Sequence, residues 1–261
     1  MAQSAAVSSP TTRRRFIATS GHTLGALALG PACGAVSTTA NAASAVIDAR
    51  PRGRVATTLT SGPIGLREGS RDGIVQMPST ARPGPLPVLV FLHGAAGSGA
   101  GTLRRMGPAA DEAGVVLVAP DSRDGTWDAI RGADFGEDVA FLNRALAFVF
   151  ARLDVDSARL AIGGFSDGAS YALSLGLANG DLFPRIVACS PGFIARAPAQ
   201  GHPRVFVSHG TADQILSIDR CSRVIVPRMR AAGYDVTYEE FEGRHELPPE
   251  IAADALRWMT G

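Results

Sequence analysis

The sequence predicts an α/β fold, a mostly parallel sheet with helices on both faces. Two observations carry that prediction. Continuous apolar runs recur at 87–92, 115–118, 160–162, 185–189 and 204–207. A strand buried on both faces reads this way, whereas a half-exposed strand alternates. Helical periodicity fills the intervals, at about 103–113, 136–152, 168–178, 220–232 and 249–259. Strand and helix in such alternation build parallel sheets.

The elements follow in order. Residues 46–81 are rich in Arg, Gly and Ser, with short alternating stretches at 55–60 and 74–77; they read as an edge hairpin. After Pro83-Gly84-Pro85 the style changes, and the first core strand runs into His93-Gly94. The remaining runs and helices succeed one another to a last strand at 238–241 and a last helix at 249–259. Their regular spacing leaves little room for a large lid. The expected organisation is a leader at 1–45 and one catalytic domain at 46–261.

Composition excludes several chemistries. The chain has 261 residues, and its 25 basic side chains are all Arg. Without Lys there is no Schiff base, no pyridoxal anchor, no Walker A lysine and no Ser-Lys dyad. A formal net charge of +1 gives no nucleic-acid surface. No apolar stretch reaches spanning length without polar interruption, so stable membrane insertion is not expected. Three Cys make neither a disulfide framework nor a zinc ribbon, and the His and Asp residues show no metal-ligand spacing. Cys189 and Cys221 remain if the leader is removed; they could pair in an oxidising compartment or stay two separate thiols, and the sequence alone leaves both open.

The leader is read from its charge and motif. The first 45 residues carry three Arg and no acid. Arg13-Arg14-Arg15-Phe16 resembles a twin-arginine export signal. A weakly apolar run to about Val36 follows, then small residues with candidate cleavage sites near Ala42 and Ala45. The expected partner is the twin-arginine machinery and the expected location periplasmic or secreted. Cytoplasmic retention of a variant lacking Arg13 and Arg14 is the check.

The chemistry sits at strand ends, where such sheets place ligands. Gly164-Phe165-Ser166-Asp167-Gly168 follows an apolar run and opens a helix. In so Gly-rich a chain the bare G-x-S-x-G pattern is weak, but strand–turn–helix context makes it a nucleophile elbow. Flanking glycines fit because side chains there would collide with strand and helix. A serine nucleophile needs a base, and the base an orienting acid. Asp213, in His209-Gly210-Thr211-Ala212-Asp213, lies just past a strand, with Asp219 as the fallback. His245, in Gly243-Arg244-His245, lies between the last strand and the last helix. His209 reads as a structural loop residue. The oxyanion donors are expected to be the amides of Asp167 and of Ala95, with Ala96 second. Trp127 and Phe193 are candidate walls of the substrate pocket. Arg104 and Arg105 read as a solvated helix face.

Together, His93-Gly94, Gly164-Phe165-Ser166-Asp167-Gly168, His209-Gly210-Thr211-Ala212-Asp213 and Gly243-Arg244-His245 resemble the α/β-hydrolase superfamily. More narrowly they are similar to bacterial phospholipase/carboxylesterase and poly(3-hydroxybutyrate) depolymerase-like esterases, over about residues 64 to 259. The resemblance implies an eight-stranded sheet, a triad on loops after successive strands, and carboxylic ester hydrolysis without a cofactor. One departure is that relatives often carry Pro after the acid loop, where this chain has Leu216-Ser217-Ile218. The expected substrate is a small soluble ester. The alternatives are an exported polyester depolymerase or feruloyl-type esterase, and, from another class, a non-catalytic binding protein on the same fold.

Overall fold

The computed structural model describes residues 45–81, 83–132 and 134–261. The arginine motif and apolar run of the leader lie outside them. Eight strands form one sheet: β1 (Gly62–Pro63), β2 (Gly73–Gln76), β3 (Leu86–Leu92), β4 (Val116–Pro120), β5 (Val155–Phe165), β6 (Arg185–Cys189), β7 (Arg204–Gly210) and β8 (Val236–Phe241). Their order is β1-β2-β4-β3-β5-β6-β7-β8. β1 and β2 are antiparallel to their neighbours, and every pair from β4 to β8 is parallel. The expected edge hairpin exists with a different first strand. Residues 55–60 pair with no strand, and the amides of Thr58 and Leu59 instead bond the Arg152 carbonyl.

Five helices cover the sheet: α1 (Gly99–Glu112), α2 (Glu137–Phe150), α3 (Asp167–Ala178), α4 (Ser222–Ala231) and α5 (Pro249–Thr260). The unbroken apolar runs now have their reason. Along β3, Val88, Val90 and Leu92 pack into a cluster with residues of α2, α3 and α4. The alternate residues Leu89 and Phe91 pack into a second cluster with Met106 and Ala110 of α1 and Leu256 and Met259 of α5. Both faces of the strand are dry, so neither can be polar. Cys189 and Cys221 are separate buried thiols.

The segment after β4 is tied down by two carboxylates. Asp138, fully buried in the first turn of α2, accepts from the amides of Arg123 at 2.6 Å and Asp128 at 2.7 Å. Asp128 accepts from the amides of Gly136 and Asp138 and from the hydroxyl of Tyr171 at 2.8 Å. Burial pushes the Asp138 carboxyl up to about 6, against the two amides that favour its charge. The folded state therefore binds this proton more tightly than the unfolded chain, and stability falls as pH rises from about 4 through 6. Asp138→Asn removes the titration. Its stability deficit relative to wild type should narrow by up to about 3 kcal/mol between pH 4 and pH 7. A deficit that stays constant across urea titrations at those pH values would show an ordinary carboxylate.

Candidate active site

The carboxyl ends of β3, β5, β6, β7 and β8 converge on one edge, and there the structure brings Ser166, His245 and Asp213 together. Ser166 joins β5 to α3 at φ 58° and ψ −122°. That left-handed backbone is costly for a residue with a Cβ and persists only where its surroundings enforce it. They do so here through close approach. The Ser166 amide donates to the Cys189 carbonyl at 3.0 Å. A methyl on Gly164 would overlap the Gly168 carbonyl, and one on Gly168 would overlap the carbonyl oxygens of Leu92 and His93. The two flanking glycines thus let α3 start directly against the ends of β5 and β3, aiming the hydroxyl outward.

His245 lies between β8 and α5. Its Nε2 is 2.8 Å from Ser166 Oγ, and its Nδ1 is 2.6 Å from Asp213 Oδ2. The ring lies against Phe165, with centroids 4.9 Å apart. Asp213 follows β7. Its Oδ1 accepts the amides of Ile215 and Leu216 at 2.9 and 2.8 Å. Burial pushes its carboxyl up, but the bonds from His245, Leu216 and Ile215 outweigh that and hold it below the usual carboxylate range. Asp219 is not a competitor for this role. It is exposed and pairs with Arg223 one helical turn on, at 2.7 Å.

His209 does more than bond nearby backbone. Its Nε2 lies 2.7 Å from the Leu216 carbonyl, which can only accept, so Nε2 carries the hydrogen. The same edge of the ring lies 3.2 Å from Asp213 Oδ2. Nδ1 then accepts from the Ser222 hydroxyl at 2.7 Å. Burial lowers its pKa and favours the neutral ring. Asp213 is therefore gripped by two backbone amides and by two imidazoles, one from the end of β7 and one from the loop after β8. The chain spacing of His209 and Asp213, four residues apart at the end of one strand, was the available signal.

The loop after β3 forms the facing wall. Neutral His93 donates from Nδ1 to the Gly94 carbonyl and accepts the Ser122 amide at Nε2, at 2.7 and 3.0 Å. Arg71, which the sequence did not single out, bonds the Gly97 carbonyl and both the carbonyl and hydroxyl of Ser122. The Ala96 amide is occupied by the Gly125 carbonyl at 2.7 Å. That removes the second-choice donor and leaves the Ala95 amide without a protein acceptor among the described residues. The Asp167 amide opens α3, where no intrahelical acceptor exists.

The cleft between these loops has a volume of about 400 Å³. Its walls include Ala95, Arg104, Arg105, Phe165 and Ile215 beside Ser166 and His245. Trp127 is not among them, which corrects the expected pocket wall. Its side chain is fully buried, stacked on Tyr171, with Nε1 donating to the His93 carbonyl at 2.9 Å. An indole that finds its polar partner inside the core acts as an anchor. Phe193 is also absent from the walls; it is exposed on the loop after β6. Conversely, Arg104 and Arg105 face the cleft as well as solvent, so they are more than a solvated helix face. Among the described residues no cluster has the composition of a metal site, and no helix is long and apolar enough to cross a membrane.

The eight-stranded sheet and the strand–turn–helix around Ser166 are those of the α/β-hydrolase fold. Residues 141–259 match the phospholipase/carboxylesterase family. No protein of curated function matches the chain. Solved structures do. The fluorophosphonate-binding serine hydrolase F of Staphylococcus aureus is 16% identical with a TM-score of 0.60, covering 78% of this chain and all of its own. Esterase PE8 is 19% identical with a TM-score of 0.59, covering 77% of this chain and 98% of its own. The carboxylesterase of Bacillus cereus is 21% identical with a TM-score of 0.57, covering 74% and 94%. At such identities the likeness is one of fold.

Proposed function

We propose that this chain hydrolyses small carboxylic esters through an acyl-enzyme on Ser166. One observation carries the reading: an unbroken hydrogen-bonded line from Asp213 through His245 to Ser166, ending at a hydroxyl that opens into a cleft. His245 Nε2 takes the Ser166 proton as Oγ attacks the ester carbonyl. Asp213 holds the proton on Nδ1, so that Nε2 is free to accept. The amides of Ala95 and Asp167 receive the developing oxyanion, helped by the positive end of α3. His245 then protonates the departing alcohol. Water, activated by the same imidazole, releases the acid and restores the serine.

A fluorophosphonate probe tests the reading directly. Intact protein should gain one adduct, located on Ser166 by peptide mass spectrometry, and Ser166→Ala should gain none. An unlabelled wild type would favour the non-catalytic binding protein.

A further inference from the structure

The charged side chains that line the cleft beside Ser166 are cationic. Two guanidinium groups, Arg104 and Arg105, line it, and no Asp or Glu does. The nearby acids Asp121, Asp167 and Asp213 are held by other donors, although Asp121 and Asp167 still act electrostatically on His93 of the cleft. Asp121 accepts the amides of Gly99 and Asp72 at 2.7 and 3.0 Å. Asp167 accepts the Thr126 hydroxyl at 2.7 Å. Asp213 is buried behind His245. Arg50, Arg131, Arg204 and Arg223 sit on carboxylates. Arg104 and Arg105 have no carboxylate partner among the described residues.

Their placement is specific. Both ride on α1, whose first turn also contains no acid. Gly101, Thr102, Arg104 and Arg105 line the cleft together, as helix neighbours three and four apart must. The Arg105 guanidinium lies 5.7 Å from the centre of the Phe165 ring, within cation–π range. The His245 imidazole also lies against that ring, its centroid 4.9 Å away. Arg105 and His245 thus border the same aromatic side chain, and both line the cleft. Arg104 folds back over the first turn, its Nη2 3.7 Å from the position a Gly101 Cβ would take. The α1 dipole adds potential of the same sign at this end.

We propose that Arg104 and Arg105 form an anion subsite of this cleft, and that the preferred esters carry a carboxylate or phosphate on the acyl or the alcohol side of the scissile bond. The assignment rests on the esterase reading above. A neutral ester gains nothing from two unpaired guanidinium groups. An anionic one gains charge-assisted hydrogen bonds, reduced by the solvent that still reaches both side chains.

The test compares matched esters. On the acyl side, mono-4-nitrophenyl succinate is set against 4-nitrophenyl butyrate. On the alcohol side, 4-carboxyphenyl butyrate is set against phenyl butyrate. In one of the two pairs, kcat/KM for the anionic member should exceed that of the neutral member by about tenfold. That pair names the side of the bond. The ratio should shrink as salt is raised and fall to about one in the Arg104→Gln/Arg105→Gln double variant. Arg105→Lys in place of Arg105→Gln should restore part of it. A merely structural role for the arginines would lower both members alike and leave the ratio unchanged, which overturns the assignment. A wild-type ratio of one or below in both pairs also overturns it, while turnover of the neutral esters leaves the esterase reading standing. No turnover of any ester by the wild type overturns both.

Discussion

Ser166→Ala should lower kcat on an aryl ester by on the order of 10³–10⁶, with the fold and thermal midpoint retained. The size of the loss follows from what the substitution removes. Only Oγ disappears, and with it the atom that forms the acyl bond. The described partner of that atom is the His245 imidazole, at 2.8 Å. The strained backbone at φ 58° is no worse for Ala than for Ser, since both carry a Cβ. The Ser166 amide keeps its bond to Cys189. The loss is bounded because the cleft and the amides of Ala95 and Asp167 are untouched, and these can still bind an ester and its oxyanion. His245→Ala should fall in the same range. The pair should not multiply, because base and nucleophile act as one unit. Near-wild-type turnover by Ser166→Ala, measured on protein purified free of other hydrolases, would refute the mechanism.

Much of this arrangement was legible in the sequence, and the reason is physical. Strands buried on both faces leave no position for a polar residue, so β3, β6 and β7 announce themselves. Extended segments outside the sheet do not. Residues 55–60 alternate as an edge strand would, yet their amides reach the end of α2. Alternation reports an extended backbone and is silent about its partner. The start of α1 was placed four residues late for a related reason. Gly99-Ala100-Gly101 has poor helix propensity. It is helical because Ser98 caps the turn and because Gly99 packs so closely on the Ala119 carbonyl that a Cβ would overlap it. At the site, Ser166, Asp213 and His245 were found because each sits in a motif with a chain order. Arg71 and the two cleft arginines act by long-range approach. No local pattern marks which way a loop guanidinium or an exposed helix face will turn. Trp127 differs in the opposite direction: a loop tryptophan is more often a packing anchor than a pocket wall, and its buried partner, the His93 carbonyl, makes it the anchor.

Asp213→Asn should be the most informative change after the serine, lowering kcat near neutral pH by about 10⁴-fold while leaving KM and the fold little altered. The two oxygens of Asp213 face different donors, and this decides how an amide would sit. Oδ1 accepts two backbone amides, from Ile215 and Leu216. Turning an NH2 group toward them would set donor against donor twice. The Asn oxygen is therefore fixed at that position, and the NH2 falls where Oδ2 was, facing His245 and His209. His209 is locked as a donor from Nε2 by the Leu216 carbonyl, so it meets the NH2 as one donor against another, a single mismatch against the two that the opposite orientation would make. His245 has no such lock. It answers the new NH2 by accepting at Nδ1, which moves its hydrogen to Nε2, the atom that must take the serine proton. The base is then present in the right place with the wrong tautomer. Two measurements separate this from simple loosening of the loop. The fluorophosphonate reaction, which also needs the base, should slow by a comparable factor, while the thermal midpoint stays close to wild type. Removing the other imidazole, by His209→Ala, should have a smaller effect on kcat, because the two amides still aim Asp213 at His245. If Asp213→Asn loses less than tenfold, the carboxylate does not set the tautomer and the proposed proton path is wrong.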